Sequence, residues 1–534
     1  MPRRGATLSP SAPRRSKARS RRARGRCARS FAISSPPAPE AGSGRAAIAI
    51  VGVDIGTQSL KVVVTDDDLA ILGDAATNYQ PAYPRHGWAD QSPTLWEDAL
   101  AATIAQALAA AGVAPGDVHA LGIAGQLDGC LAVGDDGRAL TTCLIWMDRR
   151  AGAEADVIAA DALRRVTGVT LDATHMAAKV RWLKRHAPEA RAAARFHQPV
   201  SYLVSRLTGA HVFDHGLAST TMVYGLAARD YAPELLEAFE IDVAELPDIA
   251  DAADLAGRLT AQGAALAGLP EGTAVAVGTG DDFSSPLGAG IVAPGRLACV
   301  LGTAEVVGAL DGAAKVDAAG LVETHSYPGG SFYIENPGWL SGGALAWFRE
   351  VFRLADFAEL DRLAADVAAG AGGVTFIPAL SGATAPEWIA SARGCFYGLT
   401  PAHGAGHMAR AVLEGCAFAM RDVIGRLGEM AVPLEAIRLL GGGARSRIWA
   451  HIRADCSGLP VEVPVVRDTS PVGAAMCAAV AGGLQEDLIA CAGRVGAVAE
   501  TIEPDSAARA AYDDAYAAYR RLFDSLKPMF AGPN

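Results

Sequence analysis

The chain has 534 residues, of which 51% are hydrophobic and 20% are charged, so it can bury large cores and is predicted to form two domains or more. Residues 1–46 hold 11 arginines and one lysine against the single acid Glu40, so the formal net charge of −11 conceals a body with 35 basic and 57 acidic residues. That acidic body argues against nucleic acid or an anionic membrane as a partner, and no apolar run reaches the roughly 18 residues of a membrane span.

The first 46 residues are predicted to be a disordered, Arg-rich tail. They are rich in Arg, Ser, Pro and Ala and lack hydrophobic periodicity, so they cannot bury enough apolar surface to offset the entropy of ordering. An organellar transit peptide, an RNA-binding segment and an over-extended start are the alternatives to a passive tail. Deleting the tail is expected to leave folding and turnover intact.

The body begins with a predicted β-hairpin that sets a carboxylate among turn residues. One apolar run ends at Asp54, the turn residues Gly56 and Thr57 follow, and a second apolar run begins after Ser59. Gly56 lets the backbone approach a phosphate closely, the two hydroxyls add donors, and Asp54 would hold a hydrated Mg²⁺. The alternative is an ordinary hairpin with a polar turn.

Short strands and helices alternate in the next part of the chain. Helical spacing over 94–112 precedes a strand at 120–124, the polar segment Gly125-Gln126-Leu127-Asp128-Gly129 and a further strand at 130–133. This order predicts a mixed sheet with helices outside. From 150 to about 250 the pattern is mainly helical, and we interpret this region as an inserted substrate-binding region.

A second carboxylate, Asp281, is predicted to lie where a strand gives way to a flexible, glycine-rich segment at 286–290. The apolar run 274–277 leads into Gly278-Thr279-Gly280-Asp281-Asp282. Strand ends are where catalytic groups collect, and a carboxylate there can accept the proton of an attacking hydroxyl. The alternative is an aspartate that caps a helix.

Two later segments repeat features of the first hairpin. Leu301-Gly302-Thr303 repeats its plan of strand, Gly-Thr turn and strand, within a predicted hairpin over 296–310. An apolar run ending at Leu440 leads into Gly441-Gly442-Gly443 and a predicted helix, and helical patterns cover 342–370 and 405–428.

Two lobes of one plan are therefore predicted. They comprise residues 47–270 and 271–534, with a hinge near 255–275. The two Gly-Thr turns would then face each other across one nucleotide, and the three glycines would leave room for the adenosine.

The order and spacing of these segments resemble those of the FGGY family of carbohydrate kinases. The most specific match is Gly394-Cys395-Phe396-Tyr397-Gly398-Leu399, followed after seven residues by the segment from His407 to Glu414, which fits the C-terminal family signature at every position. Weaker support comes from three segments, 86–93, 146–150 and 207–209. The resemblance covers nearly all of residues 47 to 525. It implies an α/β fold of two lobes, actin/hexokinase-like and ribonuclease H-like, with a nucleotide and sugar cleft between them.

The resemblance also implies roles for individual residues. Asp281 falls on the general base of the family, and Asp282 stays open as a one-residue alternative, as a hydrogen-bond partner or as a metal contact. ATP, with Mg²⁺ held through water by Asp54, is expected to bind at Asp54, Gly56, Thr57, Gln58, Ser59, Lys61, Gly302, Thr303, Gly441, Gly442, Gly443 and Ser446. The acceptor sugar is expected to contact Gln126, Leu127, Asp128, Trp146, Asp281 and Asp282.

The resemblance to xylulokinases implies a neutral ketopentose as the acceptor, with D-xylulose giving D-xylulose 5-phosphate. Those enzymes usually read Gly-Gln-Met-His-Gly where this chain has Asp128 in place of His. A carboxylate can accept hydrogen bonds from two hydroxyls but repels sugar acids such as gluconate. The segment 382–386 also lacks the Glu-Arg pair of many members. Kinases for ribulose, erythritol or glycerol, and a non-catalytic sugar sensor of the same fold, are the alternatives.

Other classes of protein fit the sequence less well. It has neither the G-x-G-x-x-G of a nicotinamide oxidoreductase nor the G-x-x-x-x-G-K-[ST] of a P-loop enzyme. Nine cysteines without a C-x-x-C pair indicate free thiols in a reducing, cytoplasmic compartment. The expected partners are ATP and a small sugar or polyol, and a homodimer is an open alternative to a monomer.

Overall fold

The structure of the chain is a computed structural model that describes residues 48–530. The N-terminal tail and Cys27 lie outside these residues, so the predictions for them stay predictions. The described residues belong to one compact unit built around two seven-stranded sheets.

The first half of the described chain forms one sheet with its helices and an inserted region. Its opening segment contains β1 (Ala49–Ile55), β2 (Ser59–Thr65), β3 (Ile71–Asn78), β4 (Asp90–Gln91), α1 (Pro93–Ala111), β5 (Val118–Gly125), β6 (Leu131–Val133) and β7 (Cys143–Leu144). The inserted region and the return to the sheet contain α2 (Gly152–Ala155), α3 (Ala160–Thr167), α4 (Met176–His186), β8 (Arg195–His197), α5 (Pro199–Thr208), β9 (Val212–Asp214), α6 (His215–Ser219), β10 (Tyr224–Gly225), β11 (Asp230–Tyr231), α7 (Pro233–Phe239), β12 (Asp248–Ala250), β13 (Leu255–Arg258), α8 (Ala261–Ala267), β14 (Ala274–Ala276), β15 (Thr279–Gly280) and α9 (Asp281–Gly288).

The first sheet has the strand order β13-β14-β5-β1-β2-β3, with β15 also paired to β5. Strand β1 pairs antiparallel with β2 and parallel with β5, and it is buried along its whole length. Helix α1 makes the crossover to β5. Its Trp96, Leu100 and Ile104 recur every fourth residue and form a buried face, and the left-handed Gly112 ends the helix.

The second half of the chain builds the second sheet. Its elements are β16 (Gly295–Leu301), β17 (Ala304–Asp311), β18 (Glu323–Ser326), β19 (Phe332–Leu340), α10 (Gly342–Val351), α11 (Phe357–Ala365), β20 (Thr375–Ile377), β21 (Cys395–Tyr397), α12 (Ala405–Glu429), β22 (Leu434–Leu440), α13 (Arg447–Ser457), β23 (Val461–Pro464), α14 (Ser470–Ala481), α15 (Leu488–Val495), β24 (Val498–Ile502) and α16 (Arg509–Phe530). The strand order is β18-β19-β17-β16-β22-β23-β24.

The two sheets share one plan, as predicted. In each, a hairpin and a third strand form an antiparallel triplet, a helix crosses over, and parallel strands extend the sheet. The helical crossovers are α1 in the first lobe and α12 in the second. The fold is the two-lobed actin/hexokinase-like arrangement that the sequence led us to expect.

Helices α9 and α14 join the lobes. Helix α14 lies directly on the first sheet, where a β-carbon at Gly122 would stand 1.9 Å from the carbonyl oxygen of Ala474. It also packs against α9, where a β-carbon at Gly473 would stand 2.2 Å from the carbonyl oxygen of Ser284. Only glycine allows such close approach, and one hydrophobic cluster therefore combines residues of both sheets and both helices.

The segment after Asp281 differs from its prediction. Residues 281–288 form helix α9, which includes Pro286, instead of a flexible stretch, and Ser284 Oγ ties this helix to α14 by donating to the Ser470 carbonyl at 2.7 Å. Asp281 is the first helical residue, so it is also not the cap, which is Gly280. The range 255–275 forms β13, α8 and the beginning of β14, all attached to the first sheet.

Two further observations concern the described residues as a whole. Their eight cysteines are free, and seven of them are buried while Cys395 is partly exposed. No helix between residues 48 and 530 has the length and apolar character needed to cross a membrane.

Candidate active site

The turn between β1 and β2 forms the predicted hairpin. The Gly56 N–H donates to the Ser59 carbonyl at 2.9 Å and closes the turn, and Tyr79 Oη donates to the Gly56 carbonyl at 2.8 Å. Thr57, Gln58 and Ser59 remain at least partly exposed. The turn therefore presents its polar groups to solvent from a rigid strand pair.

Asp54 and Lys61 face each other across this hairpin, and Asp468 joins them from the loop before α14. Lys61 Nζ lies 4.0 Å from Asp54 Oδ2 and donates to Asp468 Oδ1 at 2.9 Å. Asp54 is buried, and within residues 48–530 its Oδ1 has no hydrogen-bond partner. Burial raises the pKa of Asp54 to about 7; Lys61 opposes this rise, and the carboxylates of Asp281 and Asp468 add to it.

Asp281 and Asp282 occupy the first turn of α9, directly after β15 runs along the end of β5. Both side chains are partly exposed, but the surrounding lobes remove much of their water. Burial and then the charge of Asp282 raise the pKa of Asp281 to about 8. Burial and then the charge of Asp128 raise the pKa of Asp282 to about 7. Carboxyls that titrate near neutral pH are typical of proton-transfer or cation sites.

The loop after β5 connects the turn between β1 and β2 with the start of α9. Gln126 Nε2 donates to Gln91 Oε1 at 2.6 Å, and Gln91 Nε2 donates to the Thr57 carbonyl at 2.9 Å. On the other side, a β-carbon at Gly280 would lie 2.8 Å from Leu127 Cδ2. Gln126 and Leu127, two of the residues predicted to contact the acceptor, therefore lie between the first Gly-Thr turn and the start of α9.

Trp146 lies beside the turn between β1 and β2. Its Nε1–H donates to Thr57 Oγ1 at 2.9 Å, and 37% of the residue remains exposed. The indole N–H is thus engaged, while part of the ring is free to contact an apolar face of a ligand.

Asp128 is held by three buried residues. Its backbone N–H donates to Gln198 Oε1 at 2.8 Å, its carbonyl accepts from Lys179 Nζ at 2.7 Å, and its Oδ1 lies 3.1 Å from His175 Nδ1. Lys179 and Gln198 are fully buried. This loop is therefore fixed by the protein itself.

The Gly-Thr turn of the second lobe lies between β16 and β17. The Gly302 N–H donates to the Ala304 carbonyl at 2.9 Å, and the Thr303 carbonyl accepts from the N–H groups of Ser341 and Gly343. It repeats the closure of the first turn.

The glycine-rich loop follows β22. Gly441 has a left-handed backbone (φ 77°) and packs against Leu301, and a β-carbon at Gly443 would lie 2.6 Å from Leu301 Cβ. Gly442 is exposed and borders open space. Ser446 caps α13 by accepting from the Trp449 N–H, and its hydroxyl donates to Asp361 Oδ1 at 3.0 Å. Of the three glycines, only Gly442 leaves room for a ligand; Gly443 permits the packing of the loop.

Sequence reasoning missed His175, Lys179, Gln198 and Asp468. Lys179 carried a detectable signal, because a lysine surrounded by Ala and Met on the apolar face of a helix needs a buried partner. The other three are polar residues whose partners lie far away in sequence, and no local pattern identifies them.

Known proteins are similar in sequence to this chain over most of its length. Residues 49–288 match the N-terminal domain of the FGGY family of carbohydrate kinases, and residues 297–482 match its C-terminal domain. Glycerol kinase from Rhodospirillum centenum is 33% identical over 82% of this chain and 90% of that protein. Xylulose kinase from Escherichia coli is 29% identical over 90% of this chain and 100% of that protein.

A solved structure agrees with the sequence comparisons. The crystal structure of xylulose kinase from Rhodospirillum rubrum superposes with a TM-score of 0.82 at 30% identity, covering 91% of this chain and 100% of that protein. A glycerol kinase and two xylulose kinases are thus similar to this chain at comparable sequence identity.

Proposed function

This chain belongs to the FGGY family of carbohydrate kinases, and from that premise we propose that it transfers the γ-phosphoryl group of ATP to a hydroxyl of a small neutral ketose or polyol. One observation supports this best. Asp281 begins α9, its charge acts on Asp54 of the first hairpin, and its neighbour Asp282 is affected by the charge of Asp128. This arrangement supports a site in which Asp281 is the proposed proton acceptor, the turn at Gly56 and Thr57 binds phosphate, and the Asp128 loop binds the acceptor.

We propose Asp281 as the general base. Its carboxylate takes the proton of the attacking hydroxyl while the new oxygen–phosphorus bond forms and the bond to the ADP leaving group breaks. The pKa of Asp281, about 8, lies close to neutral pH, and a general base is most effective when its pKa is near the working pH. Asp282, whose pKa is raised by burial and then by the charge of Asp128, is proposed to contact the acceptor.

The nucleotide is proposed to bind between the two lobes. The turn around Gly56 and Thr57 and the turn at Gly302 and Thr303 would bind its phosphates, and the loop around Gly442 would pass along the adenosine. Lys61, held between Asp54 and Asp468, supplies a cation next to the first turn. Such a contribution suits phosphoryl transfer, which depends mainly on positioning and electrostatic stabilisation.

The residues present also fit a hydrated Mg²⁺. Asp54 Oδ1 is buried without a hydrogen-bond partner in the described part of the chain, beside the carboxylate of Asp281. Carboxylate oxygens are typical Mg²⁺ ligands, and the ion usually keeps several waters. We propose that Asp54 holds it through water. Asp54 would thereby hold a positive charge beside the phosphates of the nucleotide, which phosphoryl transfer needs.

For the acceptor we propose D-xylulose first, with ribulose, erythritol and glycerol as alternatives. The carboxylates of Asp128, Asp281 and Asp282 favour hydroxyl donors and disfavour an anionic sugar. Glycerol is the second candidate because a glycerol kinase is 33% identical to this chain.

The test is an ADP-release assay with the full chain over D-xylulose, D-ribulose, erythritol, glycerol and gluconate. We expect turnover with at least one neutral acceptor, the highest kcat/KM with D-xylulose, and none with gluconate. Preferential turnover of gluconate would contradict a neutral acceptor. Binding of a sugar without ADP release under any condition would favour the sugar sensor instead.

A further inference from the structure

Asp128 has a strained backbone that the surrounding protein holds in place. Its φ of 60° lies in the left-handed region, which is unfavourable for a residue with a β-carbon. The hydrogen bonds to the buried Gln198 and Lys179 fix both polar groups of its backbone. Strain of this kind persists where the neighbouring structure over-determines a site. The direction of the Asp128 side chain is thus set in advance.

A buried histidine links the Asp128 carboxylate to the other lobe. His175 immediately precedes α4, and its Nδ1 lies 3.1 Å from Asp128 Oδ1. Its Nε2 lies 3.7 Å from Glu323 Oε1 on β18 of the second sheet. The same glutamate oxygen accepts from the Thr170 N–H at 2.8 Å. Among the described residues no hydrogen bond engages Asp128 Oδ2, so this oxygen is available to a ligand.

The chain of groups continues along the second sheet. His325 Nε2 lies 3.7 Å from Glu323 Oε2 and 3.6 Å from Glu335 Oε1, and Glu323 stands opposite Glu335 in the β18–β19 pair. All three side chains are buried, and Glu335 Oε2 has no hydrogen-bond partner within residues 48–530. Carboxyls and imidazoles therefore alternate in a line that starts at Asp128 and continues through His175, Glu323, His325 and Glu335.

Within this line, the charges of Asp128, His175 and Glu323 support one another, whereas burial and the nearby carboxylates, Glu323 among them, raise the pKa of Glu335. Burial alone would lower the pKa of His175, but the carboxylates of Asp128 and Glu323 outweigh it and raise that pKa well above its ordinary value. Burial alone would raise the pKa of Glu323, but the imidazoles of His175 and His325, each 3.7 Å from one of its oxygens, lower it well below its ordinary range. Asp172 also faces the His175 cation. His175 and Glu323 thus form an ion pair at neutral pH.

We propose that His175 and Glu323 are positioning residues that aim the Asp128 carboxylate at the hydroxyls of a neutral polyol or ketose. This inference rests on the proposed function, whose acceptor it concerns. A hydrogen bond from a cationic imidazole fixes one oxygen of Asp128, so the other oxygen is oriented as an acceptor. Because Glu323 belongs to the second lobe, the orientation of Asp128 depends on the contact between the lobes.

Kinetics of three variants of the full chain test the positioning role. The His175→Ala variant is expected to have a KM for the best acceptor about 10- to 100-fold higher than that of the wild type. Its KM for ATP should change by less than about twofold. His175→Asn keeps a side-chain N–H for Asp128 and should recover at least part of this loss. His186→Ala is the matched control: it removes a histidine from the other end of α4 that pairs with Glu154 at 3.0 Å, and it should change neither KM.

A titration of the histidines by ¹⁵N NMR tests the same inference without any substrate. The signal absent from His175→Asn identifies His175, whose pKa should lie well above the ordinary value of histidine in the wild type and should be lower in Glu323→Gln. If the wild type phosphorylates no acceptor, the proposed function fails, and the titration still tests whether His175 is held between Asp128 and Glu323. An ordinary His175 titration, or an equal rise of both KM values in His175→Ala, would overturn the inference.

Discussion

Asp281 and Asp282 are adjacent and chemically identical, yet their surroundings differ. The largest charge effect on Asp281 comes from Asp282, with Lys61 opposing it, whereas the neighbouring charge at Asp282 is that of Asp128. Asp281 thus interacts with Lys61 of the first hairpin, and Asp282 interacts with Asp128. This difference supports the assignment of the base that the glycine spacing suggested.

Replacing Asp281 with asparagine keeps its shape and removes the proton acceptor. We expect kcat to fall by about 100-fold or more, because general-base assistance contributes about 10²- to 10⁴-fold. Nucleotide affinity, measured by calorimetry, should change little, since the Gly-Thr turns are separate residues. Asp282→Asn is the matched control and should lose much less. A normal kcat in Asp281→Asn with a lost kcat in Asp282→Asn would shift the base by one residue.

The carboxyls of Asp54, Asp281 and Asp282 predict how the free energy of unfolding depends on pH. Their pKa values are raised in the folded protein, so between the ordinary 3.8 and about 8 the folded state binds more protons than the unfolded state. The free energy of unfolding should therefore fall as pH rises through this window, in the absence of nucleotide and metal.

Asp281→Asn removes one of these carboxyls and also relieves Asp54, whose pKa the Asp281 charge raises. Urea unfolding at pH 5, 6.5 and 8 should show a smaller loss of stability in the variant than in the wild type. Equal slopes for the two proteins would mean that these carboxyls titrate normally in the folded state.

At the scale of elements, the contact between α9 and α14 determines where Asp281 lies. Gly473→Ala would place a β-carbon 2.2 Å from the Ser284 carbonyl oxygen, and such overpacking costs about 1–3 kcal/mol or more. The variant should unfold at lower urea and also lose kcat, because α9 carries the proposed base. Gly425→Ala in α12 meets no atom within 4 Å and should gain up to about 1 kcal/mol. Equal stability of the two variants would contradict this close packing.

The sequence predicted helices and strands where the spacing of apolar residues within a short segment is enough to specify them. The β1–β2 hairpin, helix α1 and the paired strands β16 and β17 follow directly from apolar runs and Gly-Thr turns. Helix α9 was not predicted, because Pro286 and the nearby glycines resemble a flexible segment until α14 packs against them. Local patterns do not contain such long-range contacts.

The candidate site shows the same limit. Asp54 and Asp281 were found from short motifs, since each stands beside glycines that a motif requires. Asp468 and His175 were not, because their importance comes from Lys61 and Glu323, which lie over 100 residues away from them in the chain. A residue recognised only through a distant partner needs the fold before its role can be inferred.

At the scale of the whole molecule, the two lobes share a core. One hydrophobic cluster includes Ile50 and Ala120 of the first sheet, Leu310 of the second, and Leu287 and Met476 of the joining helices. The boundary expected at residue 270 would separate β13 from β14, which pair with each other. We propose instead a boundary within 289–294, between α9 and β16.

A shared core also predicts how the molecule unfolds. Helix α14 comes from the second half of the chain and covers β1 and β5, so the first lobe cannot bury its sheet without the second. We expect calorimetry of the full chain to give one transition, with equal calorimetric and van't Hoff enthalpies.

A fragment ending at residue 290 provides the complementary measurement. It lacks α14, so it should expose the apolar face formed by Ile50 and Ala120, bind a hydrophobic dye and aggregate. A fragment of the same chain that folded alone with a sharp melting transition, or two resolved transitions in the full chain, would show that the lobes are independent. In that case Asp281, which stands on a helix between both lobes, would need another source of rigidity.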